Sequence, residues 1–337
     1  MSDDYLWDGS GEPDPEVERL ERLLAPLRRG RPAPELPERS ARRAFGGLPP
    51  ALAAAASLAL AVTAAWLATG GRGASWEVTR LESTPAGEAV SRVERLRVGE
   101  WLETDAGSRA RVKVGLIGQV EIDPRTRLRL LDAGATSHRL DLARGRLHAR
   151  IWAPPGRFFV DTPAAVAVDL GCEYTLEVAD DGAGLLRVLT GWVGFEYRGN
   201  ESFVPSGALC ATRPGVGPGT PYYEDAPADL VHALGVLDFG PSAARAEALR
   251  GALAAARRDD ALSLWHLLAR RESPDRGLVY DRMAVLVPPP PGVTRDGVIR
   301  GDHDMLDRWW EALDLGSAGW WRLWKAPWPE SRSRSSE

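Results

Sequence analysis

The sequence predicts a mainly β protein: an all-β domain of many short strands, preceded by one transmembrane helix and followed by an α-helical C-terminal region. Three observations lead to this prediction. Residues 44–71 carry no charged side chain. Apolar and polar residues alternate in several runs between Ala110 and Tyr197, as in half-buried strands. From Ala226 onward the apolar residues recur at helical spacing instead.

Composition limits the classes of partner. The net charge is −5, so no global basic field exists to hold a nucleic acid, and none is predicted as a partner. The hydrophobic fraction of 44% is that of a globular protein with a core of its own. The length of 337 residues leaves room for roughly two domains.

Residues 1–47 form a short polar segment with one predicted amphipathic helix and a linker rich in Pro and Arg. Asp14 and Pro15 suit the first turn of that helix. Its apolar stripe consists of Val17, Leu20, Leu23, Leu24 and Leu27. Because an isolated helix this short is marginal in water, the stripe either docks on a partner or belongs to a frayed tail that only sets topology.

Residues 48–70 are long and apolar enough to cross a bilayer as one helix. Six arginines precede this segment within about 20 residues, and only Arg72 and Arg80 follow it closely. The positive-inside rule therefore places the N-terminus in the cytoplasm. Two alternatives are a cleaved signal peptide and a buried alanine-rich helix, although 43 mostly polar residues before the segment are unusual for a signal peptide.

The predicted β domain spans residues 76–215. Apolar residues occupy every second place in several runs, which are separated by Gly, Asp and Asn turns. One such run consists of Ala110, Val112, Val114 and Leu116. Short strands at this spacing predict a sandwich, barrel or solenoid rather than a βαβ sheet.

Residues 99–210 contain a series of different short motifs at the predicted turns and strand ends. They read TDAGS at 104–108, GQVEI and PRTRL within 118–128, LARGRL at 142–147, FVDTP at 159–163, LGCEY at 170–174, LTGWV at 189–193 and PSGA at 205–208. In this order they resemble the FecR domain, the envelope-side module of bacterial sigma-factor regulators. Within them, structural roles in turns and strand ends are expected for Gly107, Gly118, Gly145, Thr162, Pro163, Gly171, Gly191 and Gly207.

The resemblance implies a membrane-anchored regulator that passes an envelope signal to a cytoplasmic sigma factor by protein–protein interaction. It implies a bacterial inner membrane location, with the C-terminal bulk in the periplasm and an unknown partner there. On the cytoplasmic side the resemblance is expected to be limited to residues 5–28, which are loosely similar to the start of anti-sigma domains. The alternative is an envelope scaffold whose FecR-like domain binds a protein or cell-wall polymer without controlling a sigma factor.

The chain has two cysteines, Cys172 and Cys210, and neither lies in a CxxC pair. They either form a disulfide in an oxidising compartment or remain buried thiols. Cys172 also stands where the FecR family usually has threonine.

Residues 226–316 are predicted to form an α-helical, repeat-like region, in which two or three helix pairs end at Pro288–Pro291. A last helix is predicted from about Asp302 to Leu315, capped by Asp302. Residues 317–337 form a Trp-rich end, and the tail after Pro329 is predicted to be disordered. The tryptophans Trp309, Trp310, Trp320, Trp321 and Trp324 either form an aromatic docking surface or cap the interior of the helical region.

No sequence motif for an enzyme was found: P-loop, Rossmann, GxSxG and HExxH patterns are missing. The five histidines are scattered, and His266 beside Trp265 is interpreted as a packed histidine. We therefore expect a protein that is not an enzyme and has no cofactor or metal.

Overall fold

The computed structural model describes residues 75–83, 89–270 and 273–316, together with Arg19. Arg19 is helical and exposed, and the rest of residues 1–47 and the predicted span at 48–70 lie outside the described residues. Among the helices in the described ranges, none is long and apolar enough to cross a bilayer. Apart from Arg19, all of the described residues belong to one compact unit.

The β region contains sixteen strands within the described ranges. They are β1 Ser75–Ser83, β2 Ala89–Arg97, β3 Trp101–Glu103, β4 Ser108–Val114, β5 Gly118–Ile122, β6 Arg127–Ala133, β7 His138–Ile151, β8 Phe158–Asp161, β9 Val166–Asp169, β10 Glu173–Val178, β11 Gly184–Thr190, β12 Trp192–Tyr197, β13 Asn200–Pro205, β14 Ala208–Arg213, β15 Gly217–Pro218 and β16 Tyr222–Tyr223. This mainly antiparallel architecture confirms the predicted β class.

The strands form two sheets that share β7. The larger sheet runs β2-β1-β4-β5-β7-β10-β11-β14, and β14 also pairs with β15 and β16. The smaller sheet runs β3-β6-β7-β8-β9-β12-β13. Its β7–β8 pair is parallel, and every other pair is antiparallel. The neighbouring motifs GQVEI and PRTRL fall on β5 and β6, which lie in different sheets.

Apolar and polar side chains alternate along the strands, so one face of each sheet is buried in the core and the other is exposed to solvent. In β4, Ala110, Val112 and Val114 are buried while Arg109, Arg111 and Lys113 are exposed. On the outer face of the larger sheet the charges pair across strands, for example Arg111 with Glu121 and Arg146 with Glu177. Such exposed pairs contribute little to stability, so the fold depends on the buried face.

Gly145 allows β7 to pass from one sheet to the other. The first half of β7 pairs with β6, and the second half pairs with β10 and β5. Gly145 has φ +93°, and a Cβ there would lie 2.4 Å from the Cα atom of Thr126. The expected turn at Gly145 is thus wrong, because the residue is a corner inside a continuous strand.

The hydroxyl of Thr126 holds this corner in place. It accepts a hydrogen bond from Arg146 N at 3.0 Å and donates one to Arg146 O at 3.1 Å. The backbone N–H of Thr126 donates in turn to Oγ1 of Thr104, at 3.0 Å. Both threonines are buried, so their polar groups need these partners.

Six α-helices follow the strands in the described residues between 226 and 316. They are α1 Ala228–Phe239, α2 Arg245–Ala255, α3 Ala261–Ala269, α4 Arg276–Leu286, α5 Arg295–Arg300 and α6 His303–Ala312. Helices α1 and α2 pack as one pair and α3 and α4 as another, and α5 packs against both α4 and α6. Asp302 caps α6 by accepting a hydrogen bond from Met305 N at 3.2 Å, which confirms that predicted cap.

The corner predicts a strong effect of Gly145→Ala. The added methyl group would clash with Thr126 while the residue keeps a positive φ, so we expect the free energy of unfolding to fall by at least about 2 kcal/mol. Chemical denaturation of the purified protein measures the loss. Gly99→Ala is the matched control, because Gly99 has φ +89° with no atom near its Cβ position. Equal losses in the two variants would contradict the steric role of Gly145.

Candidate functional site

A cleft of about 1000 Å³ lies where the β region meets the helices. One wall is the end of the β12–β13 hairpin, residues 198–203, together with β15. The other wall is formed by the end of α1, the face of α3 and the start of α6. Two sequence-distant parts of the chain therefore build this cleft, which the strand and helix patterns alone do not reveal.

His266 on α3 forms the floor of the cleft. Its Nδ1 lies 2.8 Å from Leu262 O, and its Nε2 lies 3.0 Å from Phe203 N on β13. This pattern assigns the proton to Nδ1, so Nε2 accepts a hydrogen bond from the strand. Burial lowers the pKa of His266 to about 4, which keeps the ring neutral. Because its lone pair is occupied, His266 joins α3 to β13 and is not placed to act as a base.

A second polar contact crosses the cleft beside His266. The carboxylate of Asp238, at the end of α1, accepts hydrogen bonds from Thr220 N at 2.6 Å and from Thr220 Oγ1 at 3.1 Å. It also pairs with the guanidinium of Arg270, just after α3. The Asp238 side chain is only 4% exposed, and its charge is compensated by these partners.

Groups at the mouth of the cleft are more exposed than those on its floor. Arg198 has a left-handed backbone with φ +49°, and its guanidinium lies 5.2 Å from the centre of the Tyr197 ring. Asn200 and His303 line the same opening. The polar groups on the floor of the cleft are thus hydrogen-bonded to one another and have a structural role. The mouth of the cleft offers hydrogen-bonding and cationic groups that could bind a partner.

A buried acidic cluster lies under the LGCEY motif of the β region. The Oδ2 atom of Asp169 accepts a hydrogen bond from the Cys172 thiol at 2.8 Å, and its Oδ1 atom accepts one from Gly171 N at 2.7 Å. Asp169 is 1% exposed, and burial raises its pKa to about 7. Burial also raises the pKa of the Cys172 thiol and of the neighbouring Tyr174 phenol. The cluster is therefore neutral in mildly acidic solution.

Asp169 predicts a specific pH dependence of stability. The pKa of Asp169 is higher in the folded protein than in the unfolded chain, because the buried carboxyl group is more stable when protonated. It therefore contributes fully to the free energy of unfolding below about pH 4, and this contribution is lost as the pH rises through about 7. The loss is on the order of 4 kcal/mol. Asp169→Asn should remove this loss between pH 5 and 8, as measured by urea unfolding at several pH values.

The matched control for that experiment is Asp161→Asn, which removes a part-exposed carboxylate paired with Arg139 on the adjacent strand. It should keep the wild-type slope of stability against pH. If wild type and Asp169→Asn show the same slope, Asp169 does not titrate as inferred.

The two cysteines do not form a disulfide. Both are free and buried. The thiol of Cys172 donates to Asp169, whereas that of Cys210 lies 3.5 Å from Gly219 O on the cleft side of β14. The disulfide alternative is thus wrong for this structure, because each thiol is packed against a different partner.

Trp309 and Trp310 are core residues. Both are completely buried, so the docking-surface interpretation is wrong for them and the interior alternative is confirmed. Trp310 packs on Trp265 with ring centres 4.6 Å apart, and on Trp192 of the smaller sheet at 5.8 Å. The other proposed partner-binding residues, Leu20, Leu23, Leu24, Leu27, Trp320, Trp321 and Trp324, lie outside the described residues.

Because Trp309 is completely buried, replacing its side chain with that of alanine should strongly lower the stability of the fold. Trp309→Ala should lower the free energy of unfolding by about 3–5 kcal/mol, because its ring fills the interior against Tyr280. The control is Val285→Ala in the same helical region, since Val285 is 75% exposed and should change stability by less than about 0.5 kcal/mol. Thermal unfolding measures both, and a small effect at Trp309 would contradict the core assignment.

The motif glycines occupy strand ends and corners. Gly171, Gly191 and Gly207 have positive φ, and a Cβ on Gly191 would lie 2.3 Å from Gly171 O. Gly118 is needed for a close approach, because its Cβ would lie 2.1 Å from Arg150 O. Gly107 differs, since its φ is not positive and its Cβ would meet only Asp105 at 3.8 Å. Thr162 and Pro163 follow the end of β8, as expected, and the Thr162 hydroxyl donates to Ala165 O.

The sequence identified only part of the cleft. His266 is the packed histidine that the sequence predicted. Asp238 and Arg270 were missed, because 32 residues separate them and neither belongs to a recognisable motif. Asp169 was also missed, although its position two residues before the glycine of LGCEY was a usable signal. In the part of the chain that the structure describes, no group of three His, Cys, Asp or Glu side chains could hold a metal ion.

Part of the β region is similar to a known protein family. The model of the family described as FecR protein matches residues 100–194. The resemblance to the FecR domain is confirmed. This FecR-like domain includes β3 to β11 and the start of β12, and therefore the Gly145 corner and the Asp169 cluster.

Two solved structures are similar to the chain. Both are described as a "putative anti-sigma factor" from Parabacteroides distasonis, with 18% and 19% sequence identity and TM-scores of 0.33 and 0.34. Each match covers 40% of this chain and 63% of the solved one, so the chain spans less than two thirds of their length. A comparison with curated proteins finds no match.

Proposed function

We propose that this protein is a membrane-anchored FecR-like regulator that transmits an envelope signal to a cytoplasmic sigma factor by protein–protein interaction. The observation that carries the proposal is the FecR match over residues 100–194, which begins shortly after the uncharged segment at 48–70. That segment is long enough for one bilayer crossing. The excess of arginine before it favours a cytoplasmic N-terminus.

The two sides of the membrane have different tasks in this proposal. The FecR-like domain and the helical region lie in the periplasm, where the mouth of the cleft meets an envelope partner. The stripe formed by Leu20, Leu23, Leu24 and Leu27 binds the sigma factor in the cytoplasm. Transmission requires that the two states of the envelope domain differ in their affinity for these partners. None of these steps uses a cofactor or a covalent reaction.

Topology is tested first. Reporters inserted after residue 47 and after residue 225 should show the first in the cytoplasm and the second in the periplasm. The full-length protein should also remain in the membrane after an alkaline carbonate wash. Both reporters on one side, or complete extraction by carbonate, would contradict the anchoring.

Sigma-factor binding is tested with the full-length protein. The solubilised wild type should capture a sigma factor from its own cell extract, and Leu23→Glu with Leu24→Glu should abolish the capture by placing charges on the apolar stripe. The matched control is Glu18→Gln on the polar side of the same predicted helix, which should keep it. If the wild type is anchored but captures no sigma factor, the regulatory function fails and the envelope scaffold becomes the better proposal.

A further inference from the structure

One end of the larger sheet carries two prominent apolar side chains. Leu116, at the tip of the β4–β5 hairpin, is 101% exposed, and Trp152, directly after β7, is 71% exposed. They line one hollow of about 420 Å³, and Trp152 N donates a hydrogen bond to Ile117 O at 2.7 Å. Leu116 and Trp152 are called the apolar tip below.

The fold itself does not require the apolar tip. Val114 and Ile151, the last residues of β4 and β7, are buried in the core, and the chain leaves the core immediately after them. The sequence predicted Leu116 as the next inward residue of the β4 alternation, which is wrong because the strand has already ended. Large apolar side chains exposed next to each other, rather than singly, indicate an interaction surface.

Strand directions place the apolar tip beside the start of the β region. Glu77 pairs with Lys113, so the beginning of β1 lies next to the end of β4. Gly118 pairs with Ile151, which brings the end of β7 to the same edge. The start of β1, the β4–β5 hairpin and Trp152 therefore share one end of the larger sheet.

The chain entering that end comes from the proposed membrane anchor. Only residues 71–74 separate the segment at 48–70 from Ser75, the first residue of β1. At roughly 3.3–3.6 Å per residue, five steps cover at most about 18 Å. The polar layer of one leaflet is about 5–8 Å thick. An anchored protein thus holds this end of the larger sheet close to the lipid headgroups.

We propose that the apolar tip inserts into the headgroup layer of the membrane in which the chain is anchored. Tryptophan prefers this interface, because its ring is apolar and its indole N–H still finds a polar partner. Lys113 lines the same hollow, next to Glu77, and its exposed ammonium group can reach lipid phosphates. The inference rests on the anchoring proposed above and adds to it a fixed orientation, with the strands of the larger sheet upright on the bilayer.

The experiment uses the full-length protein in vesicles of phosphatidylethanolamine and phosphatidylglycerol. A fluorescent thiol label is placed by Leu116→Cys, and in a second protein by Trp152→Cys. Both native cysteines are buried, so labelling of the folded protein is selective for the introduced thiol. The matched control is Asp180→Cys in the β10–β11 turn, because the Asp180 side chain is 92% exposed and Val178 pairs with Gly184 at the opposite end of the sheet.

Lipids carrying a quencher near the headgroup should quench the labels at positions 116 and 152 several-fold more than the label at 180. Equal, weak quenching at all three positions would overturn the inference. It would also be overturned if the label at 116 were shielded from water but not reached by the lipid quencher, because a protein would then cover the apolar tip. A carbonate wash of the same vesicles separates the two proposals. Retained protein with an unquenched tip refutes insertion alone, and extracted protein refutes the anchoring.

Discussion

The structure depends on one steric constraint, the close contact between Gly145 and Thr126. Strand β7 must turn from the smaller sheet into the larger one, and only a residue without a Cβ fits against the Thr126 backbone there. The hydroxyl of Thr126 then satisfies both backbone groups of Arg146. Because β7 lies between β6 and β8 in one sheet and between β5 and β10 in the other, the order of both sheets follows from this corner.

The helical region is built into the β region rather than attached to it. His266 accepts a hydrogen bond from β13, and Trp310 packs against Trp192 of β12. Arg270 holds Asp238 against Thr220, which follows β15. The edge of the smaller sheet is therefore in direct contact with α3 and α6.

Sequence reasoning succeeded where the signal is local and periodic. Alternation identified the buried positions of β4, and the capping residue Asp302 marked the start of α6. It failed where tertiary contacts decide. The glycine at 145 indicates a turn by composition, yet it is a corner because of Thr126. Leu116 continues the apolar period of β4 although the strand ends at Val114, and Asp238 with Arg270 carries no pattern at all.

The imidazole of His266 also has a protective consequence. Among the described strands, β13 pairs with β12 alone, so it is an edge strand of the smaller sheet. Exposed edge strands can pair with strands of other molecules through their unpaired backbone groups, which starts aggregation. His266 occupies the Phe203 N–H there, and the Ser202 hydroxyl binds Gly219 O alongside it. The helices thus cover this edge of the sheet. The β region expressed without them would expose the edge, so it is a poor unit for separate expression.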